Sequence, residues 1–231
     1  YPEVHYNLGV LLAGQQRFSE AETSYKNAIK FRSDYVEAYN NLGILLEKQG
    51  RYDEAEEVYK NALQVRPDKA EFYFNLGCLF ETQKKYDCAM RFYENALNLK
   101  PDYADVYNKL GGLYSFNRRF TEARTCFQHV LKIRPDCQDA RTNLAFVLLT
   151  LGFYQQGWQA FEARFHVDKK IKQIIPPKID TPQWQGEPLH GKAIMVWPEQ
   201  GYGDEIQFVR YLFNLKALQP KRLVLVCSDP L

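Results

Sequence analysis

Long apolar runs, signal-peptide features and an excess of charge of one sign are all absent from this sequence of 231 residues. No apolar run reaches the ~18 residues that a membrane-spanning helix needs, and no signal-peptide pattern opens the chain. We therefore expect a cytoplasmic protein without a membrane span. The 30 lysines and arginines nearly balance 28 aspartates and glutamates, for a formal net charge of +2. Nucleic-acid-binding proteins usually carry a basic excess, so this balance predicts no nucleic acid partner.

Patterns typical of metal sites and disulfides are also missing. The four histidines are scattered, and the five cysteines are odd in number and form no Cys-x-x-Cys pair. We predict no metal site and no cofactor. We expect the cysteines to be buried free thiols in a reducing compartment. They are Cys78, Cys88, Cys126, Cys137 and Cys227.

A five-residue motif returns through the chain every 34 residues. It reads Tyr39-Asn40-Asn41-Leu42-Gly43 in its second copy, recurs at 5–9, 73–77 and 107–111, and fades at 141–145. A small residue and then an aromatic residue follow each copy at constant spacing: Ala21 and Tyr25, Ala55 and Tyr59, Ala89 and Tyr93, Ala123 and Phe127, Gly157 and Phe161. A fixed period of this length is typical of an array in which one supersecondary unit is stacked many times.

Each period contains two amphipathic runs. Apolar residues recur at helical spacing over residues 36–49 and 52–65 of the second copy, which predicts two helices. Gly43 and Ala55 are small where these helices must approach closely. Pro67 opposes continuation of the second helix, and Asp68 is a candidate N-cap for the next one. Because neither helix can bury its apolar stripe alone, we predict stacked helix pairs whose first helices line an inner face.

The order aromatic residue, Leu-Gly, Ala, aromatic residue, Pro resembles the tetratricopeptide repeat. The resemblance covers about residues 2–165. It implies a mostly α superhelical solenoid over residues 1–171, with about five repeats, of which the last is atypical and capping. The first copy has neither an initiator methionine nor a polar capping helix before it, so we expect the parent protein to continue upstream.

The composition changes after the repeats. Paired prolines at 176 and 177 predict an extended linker over residues 172–185. Apolar residues 193–197 and 222–227 then indicate two buried strands, and residues 205–218 an amphipathic helix between them. These elements predict a small βαβ segment, the start of an incomplete doubly wound α/β domain over residues 186–231. Its strand edges would be unpaired, so self-association through this segment is possible.

A second resemblance concerns the C-terminal part. Its anchors are Trp158 and Arg164, the motifs at 182–186 and 189–192, and the stretch at 199–211 that contains Gly203-Asp204. These residues resemble bacterial tetratricopeptide-containing glycosyltransferases whose C-terminal domain is similar to the heptosyltransferases. The resemblance implies that the parent protein transfers a sugar from a nucleotide sugar. It also implies that the donor domain lies outside this chain, which by itself would be inactive.

The loop before the predicted helix is the catalytic candidate. In the heptosyltransferase-like enzymes a Gly-Asp pair carries the proposed general base, and the resemblance assigns that role to Asp204. Gln200, Gly201 and Gly203 would then form the acceptor or phosphate-binding loop, because backbone N–H groups at a helix N-terminus attract anions. Spacing alone leaves another interpretation open, in which Asp204 is the helix N-cap and the glycines only form a turn.

Asparagines mark the first helix of most repeats. Asn7, Asn41, Asn75 and Asn143 are equivalent, whereas Lys109 interrupts the series with Asn108 beside it. Because an asparagine both donates and accepts hydrogen bonds, such a row can hold an extended peptide without selecting its sequence. The row is similar to the asparagine ladder of O-GlcNAc transferase. Alternatively, asparagine simply suits an exposed groove position.

The residues two positions after the repeated Leu exclude the chaperone-type binding mode known as the carboxylate clamp. That clamp requires an asparagine at this position, but the five copies carry Val10, Ile44, Cys78, Gly112 and Phe146. Two functions remain. The chain is either a protein- or peptide-binding module joined to the first part of a glycosyltransferase, or a non-catalytic scaffold whose βαβ piece is a docking element. Both predict an extended peptide or partner protein in the groove of the repeats.

Overall fold

The computed structural model describes residues 1–161, 188, 190–196 and 212–225. The chain divides into two compact units, Tyr1–Ala163 and Arg164–Leu231. The first unit contains five consecutive helix pairs: α1 (Pro2–Gly14) with α2 (Phe18–Phe31), α3 (Val36–Lys48) with α4 (Tyr52–Val65), α5 (Ala70–Thr82) with α6 (Tyr86–Leu99), α7 (Ala104–Phe116) with α8 (Phe120–Ile133), and α9 (Gln138–Thr150) with α10 (Tyr154–Phe161). The predicted solenoid of helix pairs is confirmed.

The turn within each pair has one residue in the left-handed region. Gly50 and Gly152 occupy this place with φ of 75° and 84°, and Gln16, Lys84 and Arg118 occupy it with φ near 60°. The next backbone N–H then reaches back to a carbonyl of the last helical turn, as in the bond from Arg51 N to Leu46 O at 2.9 Å. This geometry ends the first helix and reverses the chain.

The predicted capping role of Asp68 is wrong. The residue that caps α5 is Lys69, and no side chain bonds the first turn of that helix. Asp68 lies one residue earlier and accepts two hydrogen bonds from Arg66 at 3.0 and 3.1 Å. The guanidinium of Arg66 lowers the pKa of this carboxyl. Helix α5 therefore starts without a side-chain cap.

The core runs along the stack between the two layers of helices. Each helix contacts its own partner, and the second helix of each of the first four pairs also contacts the first helix of the following pair. The alanines at the repeated small positions are fully buried, and so are the large side chains Tyr59, Phe72 and Tyr93. Phe72 of α5 meets the rings of Tyr39 and Tyr59 at centroid distances of 6.4 and 6.5 Å. One pair therefore completes the core of its neighbour, as expected for a repeat array.

The second unit contains two short parallel strands, β1 (Ala193–Val196) and β2 (Arg222–Leu225), with Ala193 opposite Arg222. Helix α11 (Leu212–Ala217) precedes β2. Lys221 N donates to Lys192 O at 2.7 Å just before the paired strands. Parallel strands joined through a helix agree with the predicted βαβ order, although residues 197–211 and 226–231 lie outside the described part.

The cysteines depart from the prediction in their burial. Within the described residues Cys78, Cys88, Cys126 and Cys137 are free thiols, but only Cys126 is buried and Cys88 is exposed. Burial raises the pKa of Cys126 to about 11. Cys88 occupies a solvent-facing position of α6, so the apolar character of cysteine does not decide its placement. Cys227 lies outside the described residues.

Candidate functional site

Four glycines set the distance between the helices of a pair. Each faces the ring of the repeated aromatic residue: Gly9 and Tyr25, Gly43 and Tyr59, Gly77 and Tyr93, Gly111 and Phe127. A Cβ on Gly9 or Gly111 would lie 2.6 or 2.7 Å from a ring carbon, well inside van der Waals contact. In the fifth pair the small residues are exchanged, because Ala145 replaces the glycine of the first helix and Gly157 of α10 packs against Leu149. The ring and the glycine thus form one packing unit.

The first helices carry a row of apolar residues at one repeated position, which we call the first-helix face. It is defined by one position per repeat: Val10, Ile44, Cys78, Gly112 and Phe146. Val10, Ile44 and Phe146 are 44%, 38% and 52% exposed. Cys78 is half-buried and Gly112 is exposed. Because the same position recurs once in each first helix, we call this set of positions the strip, with exposed apolar side chains at Val10, Ile44 and Phe146.

The asparagines flank this strip, and two of them form hydrogen bonds to the preceding repeat. Asn41 Nδ2 donates to the Tyr6 hydroxyl at 3.2 Å, and Asn75 Nδ2 donates to Asn40 Oδ1 at 2.5 Å. Each bond joins an asparagine to the residue that lies 35 positions earlier. These amide nitrogens therefore hold neighbouring first helices together.

The other asparagines have different environments. Asn7 and Asn143 are exposed, and Asn143 lines an opening between α7 and α9. Asn108 is half-buried, and its Oδ1 has no hydrogen-bond partner among the described residues. Its place in the repeat is that of Asn40, one residue before the ladder position. The asparagines of the predicted ladder thus differ in their exposure and in their hydrogen bonds.

Two carboxylates lie on the first helices, three residues after strip positions. Glu47 accepts a hydrogen bond from the Tyr59 hydroxyl at 2.6 Å, and Glu81 accepts one from the Tyr93 hydroxyl, also at 2.6 Å. Glu81 also lies 3.4 Å from Lys109 Nζ, whereas no cation pairs with Glu47 among the described residues. Burial raises the pKa of Glu47, and the Tyr59 bond opposes that rise only in part.

The pKa values of the two tyrosine hydroxyls in these contacts are strongly raised. Burial, followed by the adjacent Glu47, raises the pKa of Tyr59, and burial together with Cys78 and Glu81 raises that of Tyr93. Both hydroxyls therefore remain protonated donors. Sequence reasoning missed Glu47 and Glu81, although an acidic residue 12 positions before Tyr59 and before Tyr93 was a visible signal; Ala13 stands at the equivalent place before Tyr25.

The family model of the tetratricopeptide repeat matches residues 2–68, 34–102 and 68–136, which together cover more than half of the chain. The chain belongs to the tetratricopeptide repeat family. Protein FlbA of Caulobacter vibrioides is 38% identical over 77 residues. That alignment covers 33% of this chain and 13% of FlbA, so the chain spans a small part of this relative.

Solved tetratricopeptide repeat structures show the same fold. MamA superimposes with a TM-score of 0.60 at 23% identity, covering 67% of this chain and 91% of MamA. PilF of Pseudomonas aeruginosa has a TM-score of 0.62 at 19% identity, with 70% and 74% of the two chains covered. YrrB, described as a TPR protein with an unusual peptide-binding site, has a TM-score of 0.55 at 18% identity, with 69% and 82% covered.

The catalytic candidates Gln200, Gly201, Gly203 and Asp204 all lie outside the described residues. Within the described part of the chain, no three His, Cys, Asp or Glu side chains are grouped so that they could hold a metal ion. No helix in the same part has the length and apolar character to cross a membrane. The first-helix face, with its exposed Val10, Ile44 and Phe146, is the candidate site among the described residues.

Replacing Glu47 by glutamine should raise the melting temperature at neutral pH. Since burial raises the pKa of Glu47, protonation favours the folded state. That contribution is complete below the pKa of an unfolded glutamate, about 4.3, and is lost as the pH rises through the folded value. The gain from Glu47→Gln should therefore vanish below about pH 4, and thermal unfolding followed across pH measures it.

Glu81→Gln is the matched control for this prediction. It keeps an acceptor for the Tyr93 hydroxyl but removes the ion pair with Lys109, so we expect no gain in melting temperature at neutral pH. A melting temperature of Glu47→Gln that stays at or below wild type at pH 7 would contradict the unpaired, desolvated state of Glu47.

Proposed function

We propose that the chain is a protein-interaction module that binds an extended segment of a partner protein along the first-helix face. The observation that carries this proposal is the strip, which has exposed apolar side chains in three of the five repeats (Val10, Ile44 and Phe146) and is flanked by amide groups. Apolar contacts to the strip would supply affinity, and Asn7 and Asn143 have exposed amides for the backbone of the bound segment. YrrB, which has the same fold, is described as having a peptide-binding site, and this supports peptide binding by the present chain.

The strip should be tested with a pair of matched substitutions. Ile44 on the strip and Val65 at the end of α4 are β-branched residues with 38% and 39% exposure. Peptides selected from a random library on the wild-type chain should bind Ile44→Gln about fivefold more weakly, because about 1 kcal/mol of apolar burial is lost. Val65→Gln should bind like wild type. Calorimetric titration measures both affinities.

Equal binding by both variants would reject the strip as the binding surface.

The asparagine ladder needs a separate test. The double variant Asn41→Ala with Asn75→Ala would change stability as well as peptide binding, so it is not a specific probe of the ladder. Each of these amides bonds a neighbouring repeat, and a part-buried hydrogen bond typically contributes about 0.5–1.5 kcal/mol to stability. Asn143→Ala removes an exposed ladder amide, with no inter-repeat bond among the described residues, and is the better test of the ladder.

Sugar transfer by a longer parent protein is the second candidate. Its structural support is the parallel pair of β1 and β2 with α11 before β2, the order expected at the start of a doubly wound domain. We propose Asp204 as its general base, with a nucleotide sugar as donor. A scaffold function fits the repeats equally well. Transfer to a protein acceptor that Asp204→Asn removes would support the enzyme, and unchanged transfer would leave Asp204 as a helix cap.

A further inference from the structure

An opening on the first-helix face lies beside Gly112, at a position where the other repeats carry a side chain. A cavity of about 280 Å³ lies between α7 and α9, with α8 behind it. Gly112 and Ser115 of α7, Phe120 and Phe127 of α8, and Asn143 and Phe146 of α9 line it. The α7 and α9 residues belong to first helices, so the cavity opens on the strip.

Gly112 lines the cavity without contributing a side chain to it. The equivalent positions of the other repeats carry valine, isoleucine, cysteine or phenylalanine. A Cβ on Gly112 would meet no atom within 4 Å, whereas one on the adjacent Gly111 would clash with Phe127. Packing thus requires glycine at 111 and not at 112. A glycine inside a helix typically costs about 1 kcal/mol relative to alanine, so Gly112 is an unfavourable choice for the fold alone.

The chemistry of the cavity suits an aromatic side chain. Its back wall is formed by aromatic rings, and the Ser115 Oγ on the α7 side is buried without a hydrogen-bond partner among the described residues. An apolar cavity of about 150 Å³ accommodates a benzene ring, so this larger and open one has room for a phenol or an indole. The Ser115 Oγ is closed off from the empty cavity, so rotation about its χ1 bond would bring it to the polar hydrogen of either ring and give it the partner that it lacks.

The charges of the same face indicate a second feature of the bound segment. Glu47 is a part-buried carboxylate that has no cation beside it among the described residues, whereas Glu81 forms an ion pair with Lys109. Neighbouring packed helices lie about 9 Å apart and an extended residue spans about 3.4 Å, so each repeat corresponds to about three residues of a bound strand. A basic residue about six or seven positions from the ring would therefore reach Glu47.

We propose that the cavity at Gly112 is an anchor pocket for a tyrosine or tryptophan of an extended partner segment whose basic residue pairs with Glu47. This proposal rests on the proposed peptide-binding function and adds the partner's chemistry to it. The other repeats would contact the segment through the strip. The ring therefore sets the register of the bound segment.

Filling the pocket tests the proposal. Gly112→Ile installs the residue found at the equivalent position 44, and Gly14→Ile is the control, because Gly14 is also an exposed helical glycine with nothing near its Cβ. Peptides selected from a random library on the wild-type chain should contain tyrosine or tryptophan. Their binding should weaken about tenfold with Gly112→Ile, equivalent to about 1.4 kcal/mol, and stay unchanged with Gly14→Ile.

A double-mutant cycle separates the pocket from other contacts. Exchanging the peptide's ring for alanine should weaken binding to the wild-type chain about tenfold and have little effect on Gly112→Ile. Should Gly112→Ile melt below wild type, the smaller Gly112→Ala should still give an intermediate loss. In parallel, Glu47→Gln should remove the preference for the peptide's lysine or arginine over alanine.

The outcomes distinguish this proposal from the function on which it rests. Undiminished binding to Gly112→Ile, together with weakened binding to Ile44→Gln, would overturn the anchor pocket and leave the strip in place. Binding that neither substitution changes would reject the proposed function itself. Selected peptides without an aromatic residue would also overturn the pocket.

Discussion

Gly77→Leu should destabilise the solenoid by at least about 2 kcal/mol, since overpacking a tight core typically costs about 1–3 kcal/mol. Gly77 packs against the fully buried ring of Tyr93, and even a Cβ at this position would overlap ring atoms. A leucine would force the ring or the whole helix α6 to move. Denaturant unfolding of wild type and variant measures the difference in free energy of unfolding.

Gly112→Leu is the matched control within the same protein. It places the same side chain on a first-helix glycine that has no atom within 4 Å of its Cβ, so we expect unfolding at or above the wild-type denaturant concentration. Equal losses at both sites would show that leucine is harmful for a reason other than the ring. An unchanged stability of Gly77→Leu would mean that the contact with Tyr93 does not limit the approach of α5 and α6.

Tyr93→Ala should lower the free energy of unfolding by about 3–5 kcal/mol, the range found when a large buried ring is removed from a core. Tyr93 is fully buried, and its hydroxyl donates to Glu81 at 2.6 Å. Removing the ring leaves a cavity beside Gly77 and deprives the Glu81 carboxylate of a donor. Chemical unfolding again measures the effect, with Tyr93→Phe as the control that loses only the hydroxyl.

The two substitutions should compensate each other when they are combined. In the double variant, the leucine at position 77 enters the space that the Tyr93 ring leaves. We therefore expect the double variant to lose at least 1 kcal/mol less than the sum of the single losses, since directly contacting residues typically couple by about 0.5–3 kcal/mol. Strict additivity would contradict a direct contact between the glycine and the ring.

Much of the solenoid could be predicted from the sequence because its determinants are local and repeated. The predicted helices at 36–49 and 52–65 differ from Val36–Lys48 and Tyr52–Val65 by one residue at a single end. Apolar periodicity defines a helix within its own segment, and five copies of one pattern average out the irregularities of any single copy. The start of α5 was predicted less well, since Asp68 has the chemistry of a cap but bonds Arg66 instead.

The candidate site was predicted only in outline. The asparagine row and the strip positions are visible in the sequence, but their hydrogen-bonding states are not. Asn41 bonds a residue of the preceding repeat, whereas Asn143 is exposed beside a cavity. The difference depends on side chains from other repeats, which a repeated motif does not specify.

The sequence by itself determined the repeat and the helix pairs, because each follows from residue types at fixed short spacing. The tertiary structure alone decided which of two adjacent glycines is confined: Gly111 lies under Phe127 and Gly112 faces an open cavity. It also decided that Glu81 has Lys109 as a partner while Glu47 has only the Tyr59 hydroxyl among the described residues. Confinement and pairing depend on what neighbouring helices place within a few ångströms, and those neighbours lie a full repeat away in the chain.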